Sequence, residues 1–342
     1  MRSYFLFILL LTTCHTSWGQ HLSNWQYQQV LTIDNTENSS PLIDYQVYFT
    51  LNTQSLIRKG QLEADGRDIR LVDLEGKKVI CHWIEGALGT KDTKIWLKID
   101  RVELKSLQQV LLLYGNPQAP AIADPSCVFN LFEGFDQAQL DTNKWETHGN
   151  GRIKITNGIA HLSAEDTDQL IRTNQSFDMP IIAEAFITKA AGRRLSLALI
   201  QDADPLWFGY TLSWEGQYRE MYLNATDAEV SPCGGFSFFK DLFGSKAPNP
   251  VGQWSISWLT KNQIFGQWPD GSINEGNTLL HFKPLKVAIG VNACSADLNY
   301  KGELEVDWIR IRKLAMNEPK VSLQAPEKNK ISSVANPLEW MG

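Results

Sequence analysis

Beyond its first few residues the chain has no apolar run approaching the ~20 residues that a membrane-spanning helix requires. It also has no basic excess: 32 Lys and Arg stand against 38 Asp and Glu, for a net charge of −6. The first absence predicts a mature chain without a transmembrane helix. The second removes the electrostatic footprint of a nucleic-acid binder. Histidine is scarce, six residues scattered over 342, so spacing assembles no nucleophile with its base. Gly-x-Ser-x-Gly, the Walker loop, the dinucleotide fingerprint and His-Glu-x-x-His are missing, which excludes the enzyme classes that those motifs mark. Sustained i, i+3, i+4 apolar patterns are nearly absent as well, and helical folds go with them.

Cysteine is sparse at five, and none has Cys-x-x-Cys or Cys/His spacing, so a zinc site is not expected. Cys14 lies in an amino-terminal stretch, residues 1–19, that reads as a secretory signal. Arg2 supplies the positive end, Tyr4 to Leu11 the apolar run, and Ser17 and Gly19 the small residues for cleavage before Gln20. An uncleaved anchor would need a longer run, and a lipoprotein reading of Cys14 is a poor match because Thr13 precedes it. The expected location is periplasmic, cell-surface or extracellular. Export permits disulfides among Cys81, Cys127, Cys233 and Cys294. Pairing within domains would join Cys81 to Cys127 and Cys233 to Cys294; buried free thiols are the alternative.

What is present is strand pattern: apolar residues alternate with period two, or run as short blocks between turn residues. An all-β chain of two domains follows. In the first, residues 22–120, the strands are expected at Gln28 to Ile33, Tyr45 to Leu51, Ile69 to Val72, Val79 to Ile84, Ile95 to Ile99 and Val110 to Tyr114. Glu75-Gly76 reads as a hairpin turn, and Ser55 to Lys59, closed by Gly60, as a short helical turn. Gly115 to Pro125, with its Asn-Pro, Ala-Pro and Asp-Pro steps, reads as the join. The second domain, residues 128–313, carries short strands at roughly ten-residue spacing, the pattern of a β-sandwich. Asn157-Gly158 is expected to be a type I′ turn. After Lys313 the chain is polar and proline-punctuated, and 314–342 reads as a disordered tail.

Trp25, Ile33-Asp34-Asn35-Thr36, Ala64-Asp-Gly-Arg-Asp-Ile-Arg70, His82-Trp-Ile-Glu85, Lys94-Ile-Trp-Leu-Lys-Ile99 and Leu113-Tyr-Gly-Asn-Pro117 together resemble the exported bacterial family known as domain of unknown function 2341. Phe132-Glu-Gly-Phe-Asp136 with Leu140, Asp141 and Trp145 is similar to the first strand of a concanavalin A-like lectin or glucanase sandwich. The resemblance implies an amino-terminal β-sandwich-like module followed by a concanavalin A-like jelly roll. It implies no single chemistry. Asp68, Arg70 and Glu85 are the polar positions that turn chemistry and alternation leave unexplained.

Candidate sites follow from alternation. Tyr210, Leu212 and Trp214, with Phe208, share one strand face and read as core, as do Trp254, Ile256 and Trp258; Trp207 faces the other way. Tyr218 and Tyr222 share a face with Glu220. Trp207, Tyr218 and Tyr222 are therefore the candidate ligand-binding residues, an aromatic platform for pyranose C–H groups; core or rim packing is the alternative. Glu303, Glu305 and Asp307, at i, i+2 and i+4, are expected on one strand face. Paired carboxylates are what glycoside hydrolysis uses, but laminarinase-type hydrolases on this sandwich carry Glu-x-Asp-x-Glu at mid-domain. Here the order is Glu-x-Glu-x-Asp on the last strand, and a solvated face with Asp307 paired to Arg310 is the alternative. Related sandwiches imply a structural Ca²⁺ held by Glu133, Asp136 and Asp307, three donors where six to eight oxygens are wanted. Asp65, Asp68 and Asp73 are another acidic cluster.

The function expected is non-catalytic recognition of a polysaccharide or surface glycan through the second domain. The rivals are a glycoside hydrolase or lyase using the last strand's carboxylates, and a structural or adhesion component bound to envelope or pilus proteins.

Overall fold

A computed structural model describes residues 22–201, 209–224, 235–243, 247–260, 263–276, 284–292 and 300–330. The stretch expected to be a secretory signal, Cys233, Cys294 and Trp207 lie outside them. The described chain is all-β apart from short helices such as Thr53–Arg58 and Pro125–Val128.

The amino-terminal module stacks a six-stranded sheet on a three-stranded one. The larger sheet runs in the order Lys320–Leu323, Tyr27–Asp34, Leu107–Tyr114, Arg70–Asp73, Val79–Ile80, with Glu327–Lys328 also paired to Tyr27–Asp34; the smaller runs Leu42–Leu51, Thr93–Val102, His82–Glu85. Alternation supplies the layer between them, with Leu31, Ile33, Val47, Phe49, Ile95, Leu97 and Leu112 all buried. Val79 to Ile84, expected as one strand, breaks at Cys81. Val79–Ile80 pairs with Arg70–Asp73, whereas His82–Glu85 pairs with Thr93–Val102. The chain changes sheets at this corner, and Cys81 is disulfide-bonded there to Cys127.

The Asp-Gly-Arg-Asp-Ile-Arg block ties the module together. The buried Asp68 carboxylate accepts the backbone N–H groups of Glu63 at 3.1 Å and Gly115 at 2.8 Å, and its carbonyl accepts the Trp25 indole at 2.6 Å. Arg70, also buried, donates to the carbonyls of Arg67 at 2.8 Å, Ile69 at 2.7 Å and to Pro120, with its guanidinium 5.2 Å from the Trp25 ring centre. A buried cation of this kind persists only when its donors are satisfied, and here backbone carbonyls satisfy them. Burial and the Arg70 charge hold the His82 imidazole down from 6.5 to about 4. The folded chain thus refuses a proton that the unfolded chain accepts. Stability should fall as pH drops from 6.5 towards about 4, by on the order of 3 kcal/mol. Urea melts across this range check it: His82→Gln should flatten the limb, and an unchanged slope would assign it elsewhere.

Residues 131–313 form a sandwich of two sheets. One has eight strands, in the order Arg152–Thr156, Ile159–Glu165, Lys301–Lys313, Ile181–Gly192, Gly252–Thr260, Gln263–Gln267, Ile273–Gly276, with Leu131–Glu133 also paired to Lys301–Lys313. The other has seven: Gly235–Leu242, Tyr218–Asn224, Gly209–Trp214, Leu195–Gln201, Leu285–Val291, Gln169–Thr173, Trp145–Gly149. Tyr210, Leu212, Trp214, Trp254, Ile256 and Trp258 are buried between them. Asn157 and Gly158 take φ of 53° and 76° in the hairpin joining Arg152–Thr156 to Ile159–Glu165, the positive pair that a type I′ turn demands.

The tail departs from its expectation. Lys320–Leu323 and Glu327–Lys328 are strands, both paired antiparallel with Tyr27–Asp34. Asn329 then donates to the carbonyls of Leu22 at 2.7 Å and Trp25 at 2.8 Å. Polar composition argues against independent folding, but these residues gain order by satisfying an open sheet edge, and Val321 and Leu323 pack on the module's core. Both ends of the described chain therefore build the first module, and the sandwich is inserted between them.

The outer face of the three-stranded sheet lies against the outer face of the eight-stranded one. Arg310, 1% exposed in its side chain, donates to Glu85 at 2.5 Å across the join and to Glu184 at 2.6 Å within the sandwich. It lies 4.5 Å from the ring centre of Trp96 and 4.6 Å from that of Trp308. Trp96 donates its indole N–H to the same Glu85 at 2.5 Å, and Phe129 closes the cluster. Arg312 continues the network to Glu184 at 3.2 Å and Glu318 at 3.0 Å, and Glu318 accepts the Tyr45 hydroxyl at 2.9 Å. Glu85 is thus an inter-domain ligand for Arg310.

Candidate functional site

Glu303, Glu305 and Asp307 share one face of the strand, alternating with the buried Gly302, Leu304 and Val306. The pairing of Ile181–Gly192 with Lys301–Lys313 shifts register between Phe186 and Ile187, from Trp308 to Val306, so Asp307 is the extra residue of a bulge. The bulge changes which residues face the core: Gly302, Leu304 and Val306 before it, Ile309 and Ile311 after it. Glu303 accepts from Lys189 at 2.9 Å and lies 3.3 Å from Lys301. Glu305 lies 3.2 Å from His161 and 3.7 Å from Lys189. The Lys189 and Lys301 ammoniums hold the Glu303 carboxyl below its ordinary range, the opposite of what a proton-donating acid needs.

Asp307 stands near Asp136. Burial and the Asp136 charge raise its carboxyl above the ordinary range. Arg310, its expected partner, is committed to Glu85 and Glu184. Glu133 is spent locally: it accepts the Phe135 N–H at 3.0 Å and the Trp145 indole at 3.2 Å, and lies 3.5 Å from Lys144. Asp136 and Asp307 therefore stand without it, short of the six to eight oxygens that Ca²⁺ takes, and no group of three potential metal ligands gathers among the described residues. Asp65 is engaged by Arg67 at 3.3 Å, Asp68 lies in the module core, and Asp73 caps the turn through the N–H groups of Lys77 and Lys78.

The outer face of the seven-stranded sheet is defined by register. One row runs Glu146, Arg172, Ala288, Ala198, Thr211, Tyr222; the next runs His148, Leu170, Gly290, Ser196, Ser213, Glu220. Its centre carries small side chains, and Ser196, Ala198, Thr211, Ser213 and Ala288 are all buried. No carboxylate stands among these central positions. Tyr218 and Glu220 are half-buried at one end, and Tyr222 occupies the register position opposite Thr211. At the other end the Glu146 carboxylate accepts from Arg172 at 2.8 Å and Lys286 at 2.9 Å, which holds it below the ordinary range, and His148 lies 3.7 Å from Asp168. The buried Glu215 closes the hairpin before Tyr218, accepting from Ser213 at 2.7 Å and from the Arg194 N–H at 3.3 Å.

Sequence reasoning missed the Glu146, Arg172 and Lys286 cluster and the Glu184, Arg310 and Arg312 cluster. The second had a signal: Glu184 is a lone acid inside the apolar run Ile181 to Ile187, and Arg310 and Arg312 alternate with buried isoleucines. Unexplained charge inside a strand that is otherwise core announces a second covered face.

The sequence profile of a family described as domain of unknown function (DUF2341) matches residues 65–148, from the Asp-Gly-Arg-Asp-Ile-Arg block into the sandwich. No curated protein matches the chain. Among solved structures, the chain is similar to a β-1,3-1,4-glucanase (lichenase) derived from a mouse hindgut metagenome, at 13% identity and a TM-score of 0.39 over 54% of this chain and 99% of that one. It is similar to the β-glucanase of Bacillus licheniformis at 16% identity and a TM-score of 0.39, over 54% and 98%. For β-agarase A of Zobellia galactanivorans the values are 12% and 0.39, over 54% and 90%.

Proposed function

We propose that this chain is an exported, non-catalytic glycan-binding protein that presents its sandwich to a polysaccharide or surface glycan. The observation that carries the reading is the commitment of the last strand's acids: Glu303 and Glu305 are held by Lys189, Lys301 and His161. A glycosidase needs one carboxyl poised to donate a proton opposite a second that stays ionised, and Glu303 is shifted the wrong way. Tyr218 and Glu220, half-buried on an outward strand, supply an aromatic surface beside a hydrogen-bonding acid, the pairing that suits a sugar ring. The signal-like leader and the Cys81–Cys127 bond support export, since disulfides persist in oxidising compartments.

Native gels cast with polysaccharides test this. The mature chain should be retarded by at least one of them without releasing reducing ends, Tyr218→Ala should weaken the retardation about fivefold, and Glu305→Gln should leave it unchanged. Release of reducing ends that Glu305→Gln abolishes would establish the hydrolase instead; no retardation anywhere would remove glycan as the partner class.

A further inference from the structure

Between the two domains lies a cleft of about 680 Å³, walled on one side by residues 38–45 and 313–316 and on the other by residues 175–181. That volume falls inside the ~300–1,000 Å³ of small-molecule sites. Its polar lining is rich in hydroxyl and amide groups, and four of these, Ser39, Ser40, Gln175 and Ser176, make no side-chain hydrogen bond to any described residue; nor does the carboxylate of Asp178. The cleft's ammonium, on Lys313, is turned onto the Ile43 carbonyl at 2.6 Å, which leaves Asp178 as its one uncommitted charge. Apolar surface lies beside these groups, with Ile43 at 40% and Met316 at 62% exposure. Neutral groups that both donate and accept, set next to exposed C–H surface, match a ligand with hydroxyls on its rim and C–H groups on its faces. They do not match a phosphate or sulfate, which would call for guanidinium or ammonium donors.

We propose that this inter-domain cleft is a binding site for a neutral oligosaccharide, held by hydroxyl and amide groups from both domains. It is a second site, distinct from the sheet face carrying Tyr218, and it stands whether or not that face binds.

Titration calorimetry of the mature chain with cellotetraose, laminaritetraose, mannotetraose and chitotetraose tests it. At least one should bind. Ser176→Trp and Met316→Trp, which fill the cleft from opposite walls, should each weaken it at least tenfold, while Glu305→Gln, outside the cleft, leaves it unchanged. In the unaltered chain, hydrogen exchange should slow at 38–43 and 175–180 on binding, a readout that does not depend on any variant folding. Failure of all four sugars to bind overturns the proposal, as does undiminished affinity in both cleft variants. Protection confined to 218–222 also overturns it, while upholding the sheet-face reading.

Discussion

Arg310→Met is expected to cost about 3–5 kcal/mol, the range for removing one partner of a buried ion pair. The side chain is sealed between the domains, and its charge is shared by Glu85 at 2.5 Å and Glu184 at 2.6 Å. Methionine fills much of the space between Trp96 and Trp308 but leaves both carboxylates in place. Glu85 retains Lys94 at 3.3 Å and Glu184 retains Arg312 at 3.2 Å, so each keeps one cation where the native fold gives it two. A second substitution separates lost packing from stranded charge: Glu85→Gln in the Arg310→Met background should be milder than in the native chain by about 0.5–3 kcal/mol. Additive losses in that cycle would mean that the pair is not coupled and that Arg310 acts only by filling space.

The same network predicts the acid limb of stability. Burial by itself would raise the Glu184 carboxyl, but the charges of Arg312 and Arg310 outweigh it and bring it from 4.5 down to about 2. A carboxyl depressed in the folded state stabilises fully above its unfolded value, and that contribution is lost as pH falls through the folded one. The loss attributable to Glu184 therefore lies between 4.5 and about 2, taking over where the window set by His82 ends at about 4. Arg310→Met should move the midpoint of acid unfolding to higher pH.

Alternation made the sandwich core legible. Tyr210, Leu212 and Trp214, and Trp254, Ile256 and Trp258, needed only a period of two and a covered face. The Asn157-Gly158 and Glu75-Gly76 turns were equally readable, because their φ requirements are local. What failed depended on distant partners. The bulge at Asp307 arises in pairing with Ile181–Gly192, which nothing in Glu-x-Glu-x-Asp announces, and one inserted residue turns Ile309 and Ile311 to the core where strict alternation would put Trp308. Leu323 reads as part of a polar tail until Leu31 is placed opposite it. Glu85, Arg70 and Asp68 stood out as unexplained for a sound reason, since buried charge is rare without partners. Their partners, Arg310, the carbonyls of Arg67 and Ile69, and the Gly115 N–H, came from the fold.

Opening the Cys81–Cys127 bond should be comparably damaging. It closes a loop of 46 residues, for which chain entropy gives about 4 kcal/mol, within the ~2–5 kcal/mol typical of native disulfides in exported domains. Placement makes the consequence more specific than a loss of stability. Cys127 lies on the short helix Pro125–Val128, and Val128 and Phe129 are buried against Trp96 beside it. The bond therefore pins the inter-domain linker to the corner where the chain changes sheets, and the pinned residues form part of the lid over Arg310. With Cys81→Ser and Cys127→Ser together, the denaturation midpoint should fall and reductant should have no further effect on it. Arg310→Met should also cost about 0.5–3 kcal/mol less in that background than in the native chain, because a loosened lid admits water to Glu85 and Glu184. Equal costs in the two backgrounds would show that the disulfide and the ion cluster are independent staples; a smaller cost in the disulfide-free chain makes them one device holding the domains together.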